Sequence, residues 1–116
     1  MTSDLEQLTK KIIDFRDARN WKQFNNPKDV ALSIVLESAE LLEHFQWKNG
    51  EEIANYIHDH KDELAEEMAD VFVYLLSMAH DLEIDILDAS YKKMLKNETK
   101  YPIEKSKDNH KKYTEL

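Results

Sequence analysis

The scarcity of glycine and proline is the feature of this sequence that most restricts its fold. The chain contains one glycine, Gly50, and two prolines, Pro27 and Pro102, in 116 residues. Phosphate-binding and dinucleotide-binding loops need several glycines, because their backbone N–H groups must approach the phosphates closely. All-β domains need turns rich in glycine and proline at regular spacing. The sequence therefore predicts a helical protein with few, short connections.

Composition and charge restrict the cellular environments and the binding partners that suit this protein. Apolar residues make up 41% of the chain and charged residues 34%, and there is no cysteine, which excludes disulfides and thiolate metal sites. The net charge is −8 and is most negative before residue 92, so the surface repels nucleic acid polymers. No apolar run approaches the ~18 residues of a membrane span. The first residues lack the apolar stretch of a signal peptide. We expect a cytoplasmic protein that binds neither nucleic acid polymers nor membranes.

Apolar periodicity and helix-capping residues predict five helices. These span residues 4–19, 27–46, 51–58, 60–82 and 85–98. Asn26 followed by Pro27 is a typical helix start, because asparagine caps free N–H groups and proline suits the first helical position. We expect an all-α bundle of four to five helices in one domain, residues 1–103, followed by a polar, mobile tail, residues 104–116.

The second and fourth predicted helices are apolar on nearly all sides. A helix of this kind is buried in a bundle or in an interface between subunits. Since a chain of this size cannot easily bury so much apolar surface alone, we expect a homo-oligomer.

Both of these apolar helices also carry a pair of carboxylates. Glu37 and Glu40 are spaced i, i+3, as are Glu67 and Asp70, so each pair shares one helix face. Buried carboxylates are costly unless they are paired or coordinate a metal. If the two helices face each other, four carboxylates meet, and the simplest stabilising partner is Mg²⁺, which prefers hard oxygen ligands.

Spacing alone does not choose among the neighbouring acids. Glu43, Glu63 and Glu66 each lie close in sequence to these pairs, and either a supporting role or plain solvation is compatible with their positions. A solvated acidic face is also the ordinary explanation for a single pair. None of the five histidines follows a glutamate by three residues, as a di-iron bundle requires, and we expect them on the polar surface or in ordinary packing.

Aromatic residues flank the ends of the second helix. Trp21, Phe24 and Trp47 lie in or beside breaks, and Tyr74 lies one turn beyond Asp70. Aromatic residues at helix ends often cap the core. They are also the flat apolar faces available to a nucleobase.

The last predicted helix carries cationic and amide donors on one face. Lys93, Asn97 and Tyr101 share this face, and such donors suit phosphate oxygens and sugar hydroxyls. Taken alone, the pattern is more typical of a solvated helix end, where lysines complement the helix dipole.

Together these pieces resemble the MazG-like all-α nucleoside triphosphate pyrophosphohydrolases, in particular their dCTP pyrophosphatase branch. The resemblance covers residues 16–47, 66–85 and 93–107. Its motifs are W-x-Q-F, E-x-x-E-L-x-E-x-F-Q-W, E-x-x-D-V and K-N-x-x-K-Y-P, which are specific in combination although each alone is weak.

The resemblance implies a function, a set of site residues and assembly as a dimer or a tetramer. The implied reaction is Mg²⁺-dependent hydrolysis of a nucleoside triphosphate, dCTP or a modified dCTP, to the monophosphate and pyrophosphate. A dUTP-directed or broad-range enzyme, or a non-catalytic helical interaction module, is the alternative. The family's metal motif falls on Glu37, Glu40, Glu67 and Asp70. Its base and sugar contacts fall on Trp21, Phe24, Trp47 and Tyr74, with Asn97 and Tyr101 as further candidates, and the segment that begins at Lys93 would hold the outer phosphates or the sugar.

Overall fold

The computed structural model describes residues 3–116, and those residues form helices and turns without any strand. The α-helices are α1 Asp4–Ala18, α2 Pro27–Glu43, α3 Glu51–Asp59, α4 Lys61–Asp81, α5 Ile86–Lys100 and α6 Ile103–Ser106. Two 3-10 helices lie at Lys22–Phe24 and Tyr113–Glu115. The prediction of an all-α protein with five main helices is confirmed.

Side-chain caps explain where the helices begin. The side chain of Asn26 accepts a hydrogen bond from the backbone N–H of Asp29, and Pro27 occupies the first turn of α2. Ser3 and Glu6 form a reciprocal capping box at the start of α1. Each cap satisfies a backbone donor that has no partner inside the helix. These starts agree with the starts predicted from the sequence.

The end of α2 differs from the predicted end. The helix ends at Glu43 rather than at residue 46, and the chain continues in tight turns through Trp47. The backbone N–H of His44 donates to the carbonyl of Leu41, and Trp47 has a φ of 70°. Because a right-handed helix requires a negative φ, the helix cannot continue past this tryptophan.

The part of the chain that ends at Leu82 forms one compact unit. Helix α2 packs chiefly on α4, which also contacts α1 and α3. The buried apolar residues of this core are Ile13, Val30, Leu64, Leu76 and Ala79. Pairing α2 with α4 places the two acid-bearing helices side by side.

Among the described residues of this unit, one charged side chain is buried. Arg16 of α1 is 4% exposed, and its guanidinium donates to Asp81 at the end of α4 over 2.7 Å. A second contact of 3.1 Å joins it to Asp17. A buried charge is tolerated only when it is paired, so this ion pair fixes the position of α1 against α4.

Apolar side chains also remain exposed on the two central helices. On α2, Leu32, Val35 and Leu42 are 54%, 63% and 67% exposed, and Met68 on α4 is 60% exposed. These helices therefore bury one face against each other and leave a second apolar face uncovered. None of the helices within residues 3–116 is both long enough and apolar enough to cross a lipid bilayer.

Residues 83–116 form a second compact unit. Here the ring of Tyr101 packs edge-on against Tyr113 at a centroid distance of 6.1 Å, and the Lys100 ammonium lies 4.7 Å from the Tyr113 ring centroid. The segment predicted as a tail carries most of α6 and the second 3-10 helix. Its mobility, like the boundary proposed at residue 103, stays a prediction.

Candidate metal centre and nucleotide site

Three of the four predicted carboxylates converge between α2 and α4. Glu37, Glu67 and Asp70 each offer one carboxylate oxygen, and these oxygens all lie within 4.8 Å of one another. Glu37 and Glu67 are half-buried, whereas Asp70 is exposed. A group of oxygen atoms at this spacing, partly shielded and open on one side, is a geometry that can hold a metal ion.

Two oxygens of this cluster have no hydrogen-bond partner among the described residues. They are the buried Oε2 atoms of Glu37 and Glu67. A buried polar atom without a partner is costly, and more so when it belongs to an ionised group. Oxygen donors in this state fit a hard divalent cation, which would supply the missing partner.

The pKa values of the cluster also indicate that its negative charges lack sufficient positive charge nearby. Burial raises the pKa of the Glu37 carboxyl, and the charges of Glu40, Asp70 and Glu67 raise it further. Burial also raises the pKa of Glu67, with a further contribution from Glu40, whereas His44 lowers it. Glu40 is exposed and is not one of the three converging residues, yet its charge acts on both half-buried glutamates.

A histidine contacts the cluster, which sequence reasoning did not foresee. The Nε2 atom of His44 lies 3.6 Å from Oε1 of Glu67, a contact that the expectation of polar-surface or ordinary packing roles did not include. No short motif joins the two positions, and only the packing of α2 on α4 brings them together. By contrast, Glu43, Glu63 and Glu66 are exposed.

The predicted aromatic residues are largely exposed. Trp21, Phe24 and Trp47 are 47%, 64% and 87% exposed, and Tyr74 is half-buried. Trp21 packs edge-on against Phe15 with the ring centroids 5.9 Å apart. Phe24 and Trp47 are thus presented mainly to solvent, whereas Trp21 is about half exposed.

Known proteins share both the sequence pattern and the fold. A family model described as the MazG-like family matches residues 32–116. The chain is also 35% identical over 114 residues to dCTP pyrophosphatase 1 of Mus musculus, which covers 97% of this chain and 67% of that protein. The chain belongs to the MazG-like family. The resemblance stated from the sequence motifs is confirmed.

Two further similar proteins agree with the assignment to the MazG-like family. dCTP pyrophosphatase 1 of Homo sapiens is 34% identical over 114 residues, with 97% of this chain and 67% of that protein covered. The crystal structure of a pyrophosphatase from Archaeoglobus fulgidus has a TM-score of 0.84 and 42% identity, and the match covers 88% of this chain and 95% of that one.

The MazG-like match covers the two carboxylate pairs and the whole second unit, but it begins after Trp21 and Phe24. In the second unit, the neighbouring Lys100 and burial lower the pKa of Lys93, and Lys96 adds to this effect. Lys93, Lys96 and Lys100 thus form a cationic surface that suits an anion.

The two other predicted residues of the second unit are placed differently. Asn97 is half-buried, and its side-chain amide lies 3.9 Å from the sulfur of Met94. Tyr101 is 37% exposed and contacts Tyr113. Their assignment to substrate binding stays a prediction.

Proposed function

We propose that this chain hydrolyses a nucleoside triphosphate between its α- and β-phosphates, releasing the monophosphate and pyrophosphate. The convergence of Glu37, Glu67 and Asp70 between α2 and α4 carries this proposal. Membership of the MazG-like family supports it, as do relatives named dCTP pyrophosphatase 1 and a solved neighbour named a pyrophosphatase.

The three converging carboxylates would hold Mg²⁺, with Glu40 beside them as the fourth acid. When bound, the ion would neutralise charge on the substrate phosphates and lower the pKa of a water molecule. Without such a cation, the acidic cluster and the anionic triphosphate repel each other. A carboxylate that is not engaged in binding can accept the proton of the attacking water.

We assign dCTP or a modified dCTP as the substrate. The names of the mammalian relatives support this choice. The exposed rings of Trp21, Phe24 and Trp47 offer flat faces on which a pyrimidine can stack, and Tyr74 lies one turn beyond Asp70 on α4. Lys93, Asn97 and Tyr101 are our candidates for phosphate and sugar contacts. The reaction would remove unwanted deoxynucleotides in the cytoplasm.

An assay of all canonical and 5-modified nucleoside triphosphates tests this function. Each is incubated with the protein and Mg²⁺, and the monophosphate and pyrophosphate are quantified by chromatography. We expect dCTP or a 5-modified dCTP to be turned over fastest. Preference for dUTP, or equal rates on all bases, would overturn the substrate assignment, and no turnover would leave a non-catalytic interaction module.

A matched pair of variants tests which acids carry the reaction. Glu67→Gln removes a charge from the cluster, whereas Glu63→Gln removes the same charge from an exposed position one turn earlier on α4. We expect turnover to be lost in the first variant and kept in the second. Equal activity of both variants would contradict the site.

We also propose that the chain is a homo-oligomer, a dimer or a tetramer. The exposed apolar faces of α2 and α4 support this, because an uncovered patch of this kind is typical of a protein interface. Light scattering on the protein as it elutes from a size-exclusion column should give a mass of at least twice 13.8 kDa. Leu36→Glu, on the exposed face of α2, should shift the protein towards the monomer. A monomeric wild type would contradict the proposal.

A further inference from the structure

The imidazole of His44 bridges the acidic cluster and helix α3. Its Nε2 atom lies 3.6 Å from Oε1 of Glu67 on α4, and its Nδ1 atom lies 2.5 Å from the hydroxyl oxygen of Tyr56 on α3. The His44 side chain is 16% exposed and the Glu67 side chain is 23% exposed. The three side chains therefore form a connected, partly shielded row that ends at the cluster.

The partners of the two ring nitrogens indicate where the imidazole hydrogen lies. Nε2 faces a carboxylate, which can only accept, so the favourable arrangement places the hydrogen on Nε2. Nδ1 is then an acceptor, and the Tyr56 hydroxyl donates to it. Tyr56 thus selects the tautomer of His44 that directs an N–H group at Glu67.

The ring of Tyr56 is itself held on several sides. The imidazole of His60 stacks on it with a centroid distance of 3.9 Å and an interplanar angle of 12°. The ring of Phe45 meets it edge-on at 6.3 Å, and the Lys48 ammonium lies 4.3 Å from its centroid. A phenol that is fixed in this way can hold the direction of the imidazole that it contacts.

The two oxygens of Glu67 have different surroundings. Oε1 faces His44, whereas Oε2 is buried and has no hydrogen-bond partner among the described residues. An imidazole at Oε1 restrains rotation of the carboxylate and leaves Oε2 for another partner. Groups that orient a ligating side chain in this way commonly raise the affinity for the metal.

We infer that Tyr56 and His44 are positioning residues that orient the Glu67 carboxylate for the divalent cation. The inference rests on the proposed function, because it assumes that Glu67 is a metal ligand. Neither residue is assigned a contact with substrate. They act on the affinity of the site for the divalent cation, because they set the direction in which Oε2 of Glu67 points.

Binding of Mn²⁺ in the absence of nucleotide tests this inference without an activity assay. The free ion is quantified by electron paramagnetic resonance while the protein is titrated. His44→Ala should weaken Mn²⁺ binding by about tenfold or more, the usual effect of losing such a partner. Tyr56→Phe removes only the hydroxyl and should weaken binding by a smaller factor, about threefold, in line with one hydrogen bond.

A conservative variant separates positioning from general packing. His44→Gln places an amide N–H near the position of Nε2. We expect it to bind Mn²⁺ to within about threefold of the wild type, a loss no larger than that of one hydrogen bond. His58→Ala serves as the control, because His58 is an exposed histidine on α3 that pairs with Asp59, and its Mn²⁺ affinity should not change.

The outcomes distinguish failure of the inference from failure of the proposed function. If the wild type binds no Mn²⁺, the metal centre itself is wrong, and the inference falls with it. If the wild type binds Mn²⁺ and Glu67→Gln does not, but His44→Ala and Tyr56→Phe bind as tightly as the wild type, only the positioning role is overturned. Should His44→Ala fail to fold by circular dichroism, Tyr56→Phe and His44→Gln decide the question.

Discussion

Glu37 on α2 and Glu67 on α4 approach each other across the helix pair, and each keeps one buried oxygen without a hydrogen-bond partner among the described residues. Burial and the neighbouring acids raise the pKa of both carboxyls. The metal-free protein therefore carries an electrostatic cost at this site, which the contact of His44 with Glu67 offsets only in part. A site that is unfavourable without a cation is a site that a cation stabilises.

Glu37→Gln should make the metal-free protein more stable, because it removes one of the repelling charges and keeps the side-chain shape. We expect a gain of about 1 kcal/mol, or a melting temperature that is roughly 4–8 °C higher. Thermal unfolding in excess chelator measures this. Glu43→Gln on the same helix is exposed and should change nothing. A Glu37→Gln variant that is less stable than the wild type would contradict the account of repulsion.

Arg16→Met should destabilise the protein by about 3 kcal/mol, because it keeps the side-chain volume but leaves Asp81 without its 2.7 Å partner. The Arg16 side chain is 5% exposed and that of Asp81 is 22% exposed, so little solvent screens the pair. Urea unfolding gives the change in free energy.

The control for this prediction is a second ion pair on the same helix. Lys10 and Asp14 lie 2.6 Å apart, but their side chains are 77% and 63% exposed. Lys10→Met should therefore change the stability by less than about 1 kcal/mol. Equal effects of the two substitutions would show that burial of Arg16 does not matter.

Trp47→Ala should weaken nucleotide binding while leaving the melting temperature almost unchanged. Stacking of a base on an aromatic ring contributes roughly 1–3 kcal/mol to the free energy of binding. We therefore expect the affinity for the nucleotide to fall by roughly one to two powers of ten. Stability should change little, because the side chain is 87% exposed. Calorimetric binding and thermal unfolding of one variant measure both quantities. Unchanged affinity with a large loss of stability would assign the ring to the core.

Removing the charge of Lys93 should stabilise the protein near neutral pH. Lys100, burial and Lys96 lower the pKa of Lys93 below its ordinary value of 10.5. Between the lowered value and 10.5, the unfolded chain binds more protons than the folded protein. This group therefore penalises folding at neutral pH, and the free energy of unfolding rises as the pH increases through that window.

Urea unfolding of Lys93→Gln at two pH values measures this effect. The variant should exceed the wild type in stability near neutral pH, and the difference should shrink above pH 10.5. Lys92→Gln is the control, because Lys92 pairs with Asp88 at 2.9 Å and its loss should give no stabilisation. A difference between Lys93→Gln and the wild type that does not depend on pH would contradict the prediction.

The sequence predicted the helices and the acid-bearing faces because both depend on local patterns. Asn26 and Pro27 mark the start of α2 by chemistry that needs no tertiary contact, and i, i+3 spacing places Glu67 and Asp70 on one face. The end of α2 was missed because the helix gives way after Glu43 to tight turns, in which the N–H groups of His44 and Phe45 donate to carbonyls three residues back. These turns leave no mark in the pattern of apolar residues.

The periodicity of apolar residues could not predict the contacts between helices. The Arg16–Asp81 pair and the contact of His44 with Glu67 join residues that are far apart in the chain. Their formation depends on which helices pack together and on how the helices are positioned relative to one another along their axes. Spacing could not select Glu67 over Glu63 or Glu66. The family motif made that choice, and the packing of α2 on α4 brings Glu67, but neither of the others, into the cluster.

The rate of pyrophosphate release from dCTP, measured against the concentration of free Mg²⁺, tests the central claim most directly. For the wild type we expect a rate that rises with Mg²⁺, reaches saturation and vanishes in excess chelator. For Asp70→Ala, folded by circular dichroism, we expect no rate at any Mg²⁺ concentration, because the cluster loses one of its three converging carboxylates. Full activity of Asp70→Ala, or wild-type activity in excess chelator, would contradict the account.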